Sequence, residues 1–130
     1  CSVGRDDMSK QHSPGFLAVV ANAKSRVKEI DIEQLQQLAE PFLLIDVRED
    51  REWQNGHLPN ALHIGKGVIE RDIETAVADK STVLVLYCGG GFRSALAGDM
   101  LQLMGYSEVL SLAGGYTAWV NAGLPLVKGD

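Results

Sequence analysis

Cys88 is the residue of this sequence whose type and position could do chemistry. It follows a run of mostly apolar, β-prone residues, 82–87, and it precedes three consecutive glycines. A cysteine at the carboxyl end of a buried strand, above a loop of free amides, is stabilised as the thiolate. Because only the thiolate is a competent nucleophile, this segment predicts a nucleophilic cysteine. A buried structural cysteine is the alternative.

The three glycines directly after the predicted strand favour the functional interpretation. Packing does not call for them, and glycines cost backbone entropy unless the chain takes left-handed angles or another group approaches closely. The helical pattern that opens at Arg93 and Ser94 adds unpaired N–H groups and the positive end of a helix dipole. The sequence therefore predicts a loop that stabilises negative charge at Cys88.

Arg93 is a candidate binding residue in the same segment. It lies five residues after Cys88, at the start of the predicted helix, where the helix dipole disfavours a cation. An arginine that helps the loop amides to hold an anionic substrate explains this position better than a surface arginine does. Ser94, the next residue, is a candidate cap for the helix.

Nucleotide binding is another chemistry that glycine-rich loops support, and this sequence fits it poorly. In a Walker A motif a glycine stands five positions before the Gly-Lys pair, but Asn60 occupies that position relative to Gly65 and Lys66. A dinucleotide fingerprint needs a third glycine where Ser94 stands.

Composition and charge limit the classes of protein to which this chain can belong. The chain has 130 residues, enough for one domain, and 45% of them are hydrophobic, enough for a real core. A formal net charge of −5 argues against nucleic acid as a partner. No apolar run approaches the roughly 18–20 residues that a membrane span needs. Small molecules or other proteins are the expected partners.

Cys1 and Cys88 are the two cysteines, and their separation excludes a CxxC zinc site or redox pair. No metal and no other cofactor is expected, and Cys88 is predicted to be a free thiol in a reducing compartment, the cytoplasm. Residues 1–14 are interpreted as an N-terminal extension, with residues 1–7 a cloning remnant before Met8. A processed lipoprotein, which begins with cysteine outside the cytoplasm, is the alternative.

Apolar strands alternate with helical patterns along the chain. The predicted strands are 27–30, 42–47, 61–64, 82–87 and 109–112. The predicted helices are 16–24, 32–38, 49–54, 67–78, 94–104 and 116–121. Such alternation predicts an α/β fold with a mainly parallel central sheet and helices on both faces. Ligands of such sheets bind beyond the carboxyl ends of the strands, where Cys88 lies.

Other polar residues near strand ends are assigned mainly structural roles. Asp46 and Arg48 follow a predicted buried strand and are expected to pair and to hold neighbouring loops. His57, between a glycine and a leucine, is predicted to be a structural histidine rather than a base. Lys66 and Arg71 follow another strand end and are candidates for positive charge at the mouth of a pocket.

The spacing Cys88-x-x-x-x-Arg93 resembles the active-site loop of the rhodanese (sulfurtransferase) domain family. Residues 44–61 match the first signature of that family, with Asn60 where glycine is usual. Residues 105–115 resemble the stretch after its catalytic helix, and 116–125 resemble its closing helix and domain end. The resemblance covers roughly residues 30–127, with the motifs in the family's order.

This resemblance implies a single rhodanese-like domain over residues 15–130 that acts as a thiosulfate sulfurtransferase. Cys88 would take a sulfane sulfur from thiosulfate or a similar donor as a persulfide, and pass it to cyanide, a thiol or a sulfur-accepting protein. Six loop residues would bind the substrate: Gly89, Gly90, Gly91, Phe92, Arg93 and Ser94. Three residues would support the site: Asp46, Arg48 and His57. A persulfide anion needs converging donors and no proton shuttle, so no histidine base is required beside Cys88.

Two other functions stay open at this point. One is a persulfide carrier or interaction domain without an activity of its own. The other is a phosphatase or an arsenate-reducing enzyme, which the loop length disfavours. Phosphatases related to this fold carry a Cys-x5-Arg loop sized for phosphate, whereas the six residues from Cys88 to Arg93 have the sulfur-transferring length.

Overall fold

The structure is a computed structural model that describes residues 13–128, and within that range it contains five strands and six helices. The strands are β1 (Lys28–Ile30), β2 (Leu43–Asp46), β3 (Leu62–His63), β4 (Leu84–Tyr87) and β5 (Val109–Leu112). The helices are α1 (Pro14–Lys24), α2 (Ile32–Gln36), α3 (Asp50–Gln54), α4 (Ile69–Ala76), α5 (Phe92–Leu103) and α6 (Gly115–Asn121).

All five strands are parallel and lie in the order β1-β5-β4-β2-β3. The predicted α/β class, with a parallel sheet, is therefore confirmed. β4 is the central strand, so that β2 and β5 cover both of its edges. Parallel strands end at the same edge of the sheet, and the loops after β2, β4 and β5 consequently meet there.

The sheet is covered on both faces because its central strand is apolar on both sides. In β4, Leu84 and Leu86 pack in the core beneath α4 and α5, whereas Val85 and Tyr87 pack in the core beneath α2 and α6. All four side chains are buried, as expected for the inner strand of a parallel sheet. α1 packs against α5, on the face of the sheet that α4 and α5 cover.

Local sequence signals explain where several helices begin and end. Asp31 caps α2 by accepting from the N–H of Gln34, whose side chain accepts from the N–H of Asp31, a reciprocal capping box. α5 ends before Gly105, which takes the left-handed angle φ +104°. Both features match the sequence-based predictions.

The start of α5 differs from its prediction, and the difference changes the role of Ser94. The helix begins at Phe92, two residues earlier than predicted, and its N-cap is Gly91 at φ +98°. The interpretation of Ser94 as the cap is therefore wrong, because Ser94 lies inside the first turn and its side chain is buried. A glycine takes the cap position here because the left-handed angle is strained for residues with a Cβ.

Of the predicted N-terminal extension, residues 1–12 lie outside the described residues, and α1 begins at Pro14 with Ser13 as its cap. Within residues 13–128, no helix combines the length and the apolar character that crossing a bilayer requires.

Candidate functional site

Cys88 directly follows β4, at the edge of the sheet where the loops meet. Its side chain is 0% exposed. The backbone N–H groups of Gly91 and Ser94 donate to its Sγ at 3.1 and 3.4 Å. The loop therefore curls so that two of its amides converge on the sulfur.

The hydroxyl of Ser94 also contacts the sulfur, at 3.7 Å between Sγ and Oγ. The same hydroxyl bonds to the hydroxyl of Ser111 in β5, at 2.7 Å, and both residues are fully buried. Ser111 thus orients the hydroxyl that faces the sulfur. Sequence reasoning missed Ser111, although one polar residue inside the apolar β5 was a usable signal.

The back of the Cys88 loop is fixed by the start of α6. The N–H of Tyr116 donates to the carbonyl of Cys88 at 2.7 Å, and the N–H of Thr117 donates to the carbonyl of Gly89 at 3.0 Å. Gly115, at φ +50°, makes this close approach possible, because a Cβ there would overlap the carbonyl oxygen of Cys88. The start of α6 therefore fixes the first two peptide groups of the loop.

Arg93 lies over the Cys88 loop and is paired with Glu52 of α3. Its Nη1 donates to Oε1 of Glu52 at 3.0 Å, and its Nη2 donates to Oε2 at 3.3 Å. The Nη2 atom also lies against the loop backbone, since a Cβ built on Gly89 would be 3.2 Å from it. Among the described residues, its buried Nε has no hydrogen-bond partner. Sequence reasoning assigned Arg93 to a substrate anion and did not foresee Glu52 as its partner.

The Arg93–Glu52 pair stabilises both charges. Burial raises the pKa of Glu52, but hydrogen bonds from Arg93 and from the N–H of Glu49, together with positive charge nearby, bring that pKa down to about 2. Burial lowers the pKa of Arg93, but the hydrogen bond to Glu52 and the proximity of Cys88 leave that pKa raised overall. The guanidinium therefore stays charged beside the sulfur.

Asp46 and Arg48 form a second ion pair, which is fully buried. Nη2 of Arg48 donates to Oδ2 of Asp46 at 2.8 Å and to the carbonyl of Gly56 at 2.6 Å. The hydroxyl of Tyr87 donates to Asp46 at 2.6 Å and accepts from the N–H of Leu58 at 3.1 Å. The guanidinium also lies over the ring of Tyr116, 4.1 Å from its centroid. This network ties the loops after β2 to β4 and α6.

The charges of this buried network support one another. Burial lowers the pKa of Arg48, but hydrogen bonding to Asp46 and the negative charge of that carboxylate leave that pKa raised overall. Burial and the neighbouring Asp46 raise the pKa of Tyr87, so its hydroxyl remains a donor. Arg48 lines a cavity together with Gly89, Gly90 and Arg93, but no hydrogen bond joins the side chain of Asp46 or Arg48 to Cys88 within residues 13–128.

His57 is buried but bonds to a different part of the molecule. Its Nδ1 contacts the carbonyl of Trp53 at 3.1 Å, and its backbone pairs with Val127. The ring stacks on that of Trp53, with 3.5 Å between centroids. These contacts are structural and none of them involves the Cys88 loop.

Two cavities flank the Arg93–Glu52 pair. A cavity of about 700 Å³ is lined by Arg93, Lys66 and the loop after β2. A cavity of about 330 Å³ is lined by Arg93, Glu52, Gly89 and Gly90. Lys66 thus contributes positive charge to a cavity, as predicted. Arg71 is paired with Asp72 on the surface, and neither cavity has it in its lining.

The arrangement brings together a thiol sulfur, two amides that donate to it and a guanidinium, a set of groups that can support attack by sulfur on an anionic substrate. Within residues 13–128, no group of three or more His, Cys, Asp and Glu side chains is placed to hold a metal ion. The Phe92 side chain packs edge-on against Phe16 of α1, with ring centroids 6.2 Å apart.

Known proteins resemble this chain in sequence and in fold. Residues 31–122 match the Rhodanese-like domain family. A sulfurtransferase from Allochromatium vinosum is 41% identical over 104 residues, covering 78% of this chain and 95% of that protein. The thiosulfate sulfurtransferase GlpE of Pseudomonas savastanoi is 38% identical, covering 71% of this chain and 86% of that protein.

A solved structure from Rhodopseudomonas palustris, a protein of unknown function named a possible tyrosine phosphatase, has a similar fold. It is 28% identical, with a TM-score of 0.78, and the match covers 92% of this chain and 99% of that one. The fold alone therefore does not decide between sulfur and phosphate chemistry, and the site must do so.

Proposed function

Since this chain belongs to the rhodanese-like domain family and is a sulfurtransferase, we propose that Cys88 carries the transferred sulfur as a persulfide and that thiosulfate is the donor. The observation that carries this proposal is the placement of Cys88 Sγ under the N–H groups of Gly91 and Ser94, beside the guanidinium of Arg93. A sulfur nucleophile with fixed donors and a neighbouring cation suits an anionic sulfur donor.

In the first half of the cycle, the Cys88 thiolate attacks the sulfane sulfur of thiosulfate. A bond forms between Sγ and that sulfur while the bond from the sulfane sulfur to the sulfonate sulfur breaks, and sulfite leaves with the electron pair. The thiolate and the thiosulfate dianion thereby become a persulfide anion and a sulfite dianion, so charge is conserved. The sulfonate oxygens are the groups that Arg93 would bind.

In the second half, the acceptor attacks the terminal sulfur of the persulfide. The bond between Sγ and the terminal sulfur breaks, and its electron pair returns to Cys88 as the thiolate. With cyanide as acceptor, thiocyanate leaves. The amides of Gly91 and Ser94 stabilise the charge on sulfur in each state, and no step needs a general base.

Two observations support thiosulfate as the donor. The GlpE relative is named a thiosulfate sulfurtransferase. In addition, Arg93 and Lys66 both line the larger cavity next to the Cys88 loop, where they would attract a dianion. Cyanide, thiols or an accepting protein are the acceptors that we propose.

The test of this function is sulfur uptake by Cys88. Intact-mass spectrometry after thiosulfate treatment is expected to show one added sulfur on the wild type and none on Cys88→Ser, because a hydroxyl is a far weaker nucleophile. Turnover of thiosulfate with cyanide is expected to be lost in the same variant. Cys1→Ser, which removes the other thiol of the sequence, is the matched control and keeps both signals.

An aryl phosphate serves as the comparison substrate. If the unmodified protein hydrolyses it faster than it transfers sulfur, the assignment to sulfur chemistry is wrong. If Cys88 takes up sulfur but no small acceptor turns it over, the protein is a persulfide carrier.

A further inference from the structure

The Arg93–Glu52 pair is the partly exposed ion pair beside the buried Cys88 loop. Cys88 is completely buried, while the side chains of Arg93 and Glu52 are partly exposed. Arg93 contributes to the walls of both cavities that flank the loop, and its Nη2 rests against Gly89. A donor in either cavity therefore contacts Arg93, and a donor in the smaller cavity contacts Glu52 as well.

Both terminal nitrogens of Arg93 are already used by Glu52. The two oxygens of the carboxylate face Nη1 and Nη2 in a parallel fork, the geometry that a sulfonate group would also adopt. An incoming oxyanion and the Glu52 carboxylate thus compete for the same two donors. The remaining nitrogen, Nε, is buried and without a hydrogen-bond partner among the described residues, and the guanidinium also interacts with the Cys88 sulfur.

Glu52 is held in a way that permits exchange. Besides Arg93, its carboxylate accepts the N–H of Glu49 within its own helix α3. A carboxylate that is one-third exposed is readily solvated when it leaves its partner. Replacement of this carboxylate on Arg93 by a substrate anion therefore does not strand a buried charge.

We propose that Glu52 is a specificity-determining residue that competes with the sulfur donor for Arg93. An oxyanion donor binds when its own oxygens replace the carboxylate on the guanidinium. Because the carboxylate competes only with donors that bind Arg93 through an oxyanion, Glu52 lowers the preference of the site for such donors over neutral ones. This inference rests on the proposed function for its substrate, but the competition itself can be measured without sulfur transfer.

The test uses Glu52→Gln in a Cys1→Ser background, where Cys88 is the one remaining thiol of the sequence. The glutamine oxygen can still accept the N–H of Glu49, so the helix cap is retained. Cys88 is alkylated with iodoacetate, an anion, and in parallel with iodoacetamide, its neutral counterpart of similar size. The ratio of the two rates cancels changes in thiolate fraction and in general access, and it isolates the binding of the anion.

We expect the iodoacetate to iodoacetamide ratio to rise about two- to fivefold in Glu52→Gln, the range expected for a partly exposed ion pair. The kcat/KM for thiosulfate is expected to rise by a similar factor. Glu70→Gln is the matched control, since it makes the same chemical change at an exposed position of α4, and its ratio is expected to stay at the wild-type value.

An unchanged or lower alkylation ratio in Glu52→Gln overturns the competition. So does a lower kcat/KM for thiosulfate, because that result would mean that Glu52 orients Arg93 for the donor. If the wild type takes up no sulfur but the ratio still rises, the proposed function fails while the competition for Arg93 stands.

Discussion

Two arginines lie close to the Cys88 loop, and they are held in opposite ways. The Arg48 and Asp46 side chains are 4% and 0% exposed, whereas those of Arg93 and Glu52 are 18% and 33% exposed. Arg48 donates to Asp46 and to the carbonyl of Gly56, and it lies over the Tyr116 ring. Arg93 has one carboxylate partner and a buried Nε without one among the described residues.

This difference separates a structural ion pair from one that can exchange. Breaking the buried pair leaves a buried charge that water does not solvate. Asp46 and Arg48 therefore hold the loops in one arrangement. Breaking the partly exposed pair costs little, because water can replace either partner. The Cys88 loop therefore has two arginines near it: Arg48 is fixed by a buried carboxylate, whereas the carboxylate partner of Arg93 can be replaced.

The largest expected effect comes from breaking the buried pair. Asp46→Ala removes the acceptor of Arg48 and of the Tyr87 hydroxyl and leaves a buried guanidinium without its counter-ion. We expect a loss of about 3–5 kcal/mol in the free energy of unfolding. Urea-induced unfolding, followed by tryptophan fluorescence, measures this loss.

A double variant separates the cost of the unpaired buried charge from the cost of lost packing. Asp46→Ala combined with Arg48→Met removes the stranded charge as well as its partner. It is expected to be more stable than Asp46→Ala alone, because replacing a whole buried pair costs less than breaking it. Equal stability of the two variants would show that the lost packing, and not the buried charge, dominates.

Substitutions in the Arg93–Glu52 pair are expected to change activity more than stability. Arg93→Ala is expected to lower kcat/KM for thiosulfate by about 1.5–3 kcal/mol in transition-state terms, the usual strength of a charged hydrogen bond. Arg93→Lys is expected to recover part of the loss, since a point charge replaces the planar fork. An unchanged kcat/KM in Arg93→Ala would leave Arg93 with no role toward the donor.

The smallest effect is a pH dependence of stability. The pKa of Glu52 falls from its ordinary value of 4.5 to about 2 in the folded protein, so its ion pair stabilises the fold above about pH 4.5. This contribution is lost as the pH falls toward 2 and Glu52 is protonated in both states. Because the pair is partly exposed, we expect it to amount to about 0.2–1 kcal/mol.

The comparison of wild type with Glu52→Gln measures this contribution. The wild type is expected to exceed the variant in unfolding free energy at pH 6, and the difference is expected to shrink between pH 5 and pH 2. A difference that stays constant over this range would contradict the assignment of the shift to the Arg93–Glu52 pair.

Much of the fold could be predicted from local patterns. The apolar strand before Cys88 and the capping box at Asp31 depend on neighbours in sequence, and both appear where they were expected. The start of α5 was misplaced because Gly91, and not a side chain with an oxygen, provides its cap. Strand order was not predicted, since it depends on pairing between segments far apart in the chain.

The candidate site likewise contains residues that the sequence predicted and partners that only the structure revealed. Cys88, the glycines and Arg93 lie within one short segment, so their types and spacing were enough to identify them. The partners of that segment come from elsewhere: Glu52 from α3, Ser111 from β5 and the amides at the start of α6. Their roles are defined by distances in space that no spacing in the sequence encodes.

The sequence by itself therefore determined the class of fold and the family, and it singled out Cys88 as the candidate nucleophile, because these depend on local propensities and on motifs within short segments. Tertiary structure alone decided which arginine is locked and which can exchange. Asp46 and Glu52 are both acidic residues near the same strand end, but only packing buries one of them completely and leaves the other at the mouth of a cavity. The surrounding dielectric, set by that packing, determines what breaking each ion pair costs.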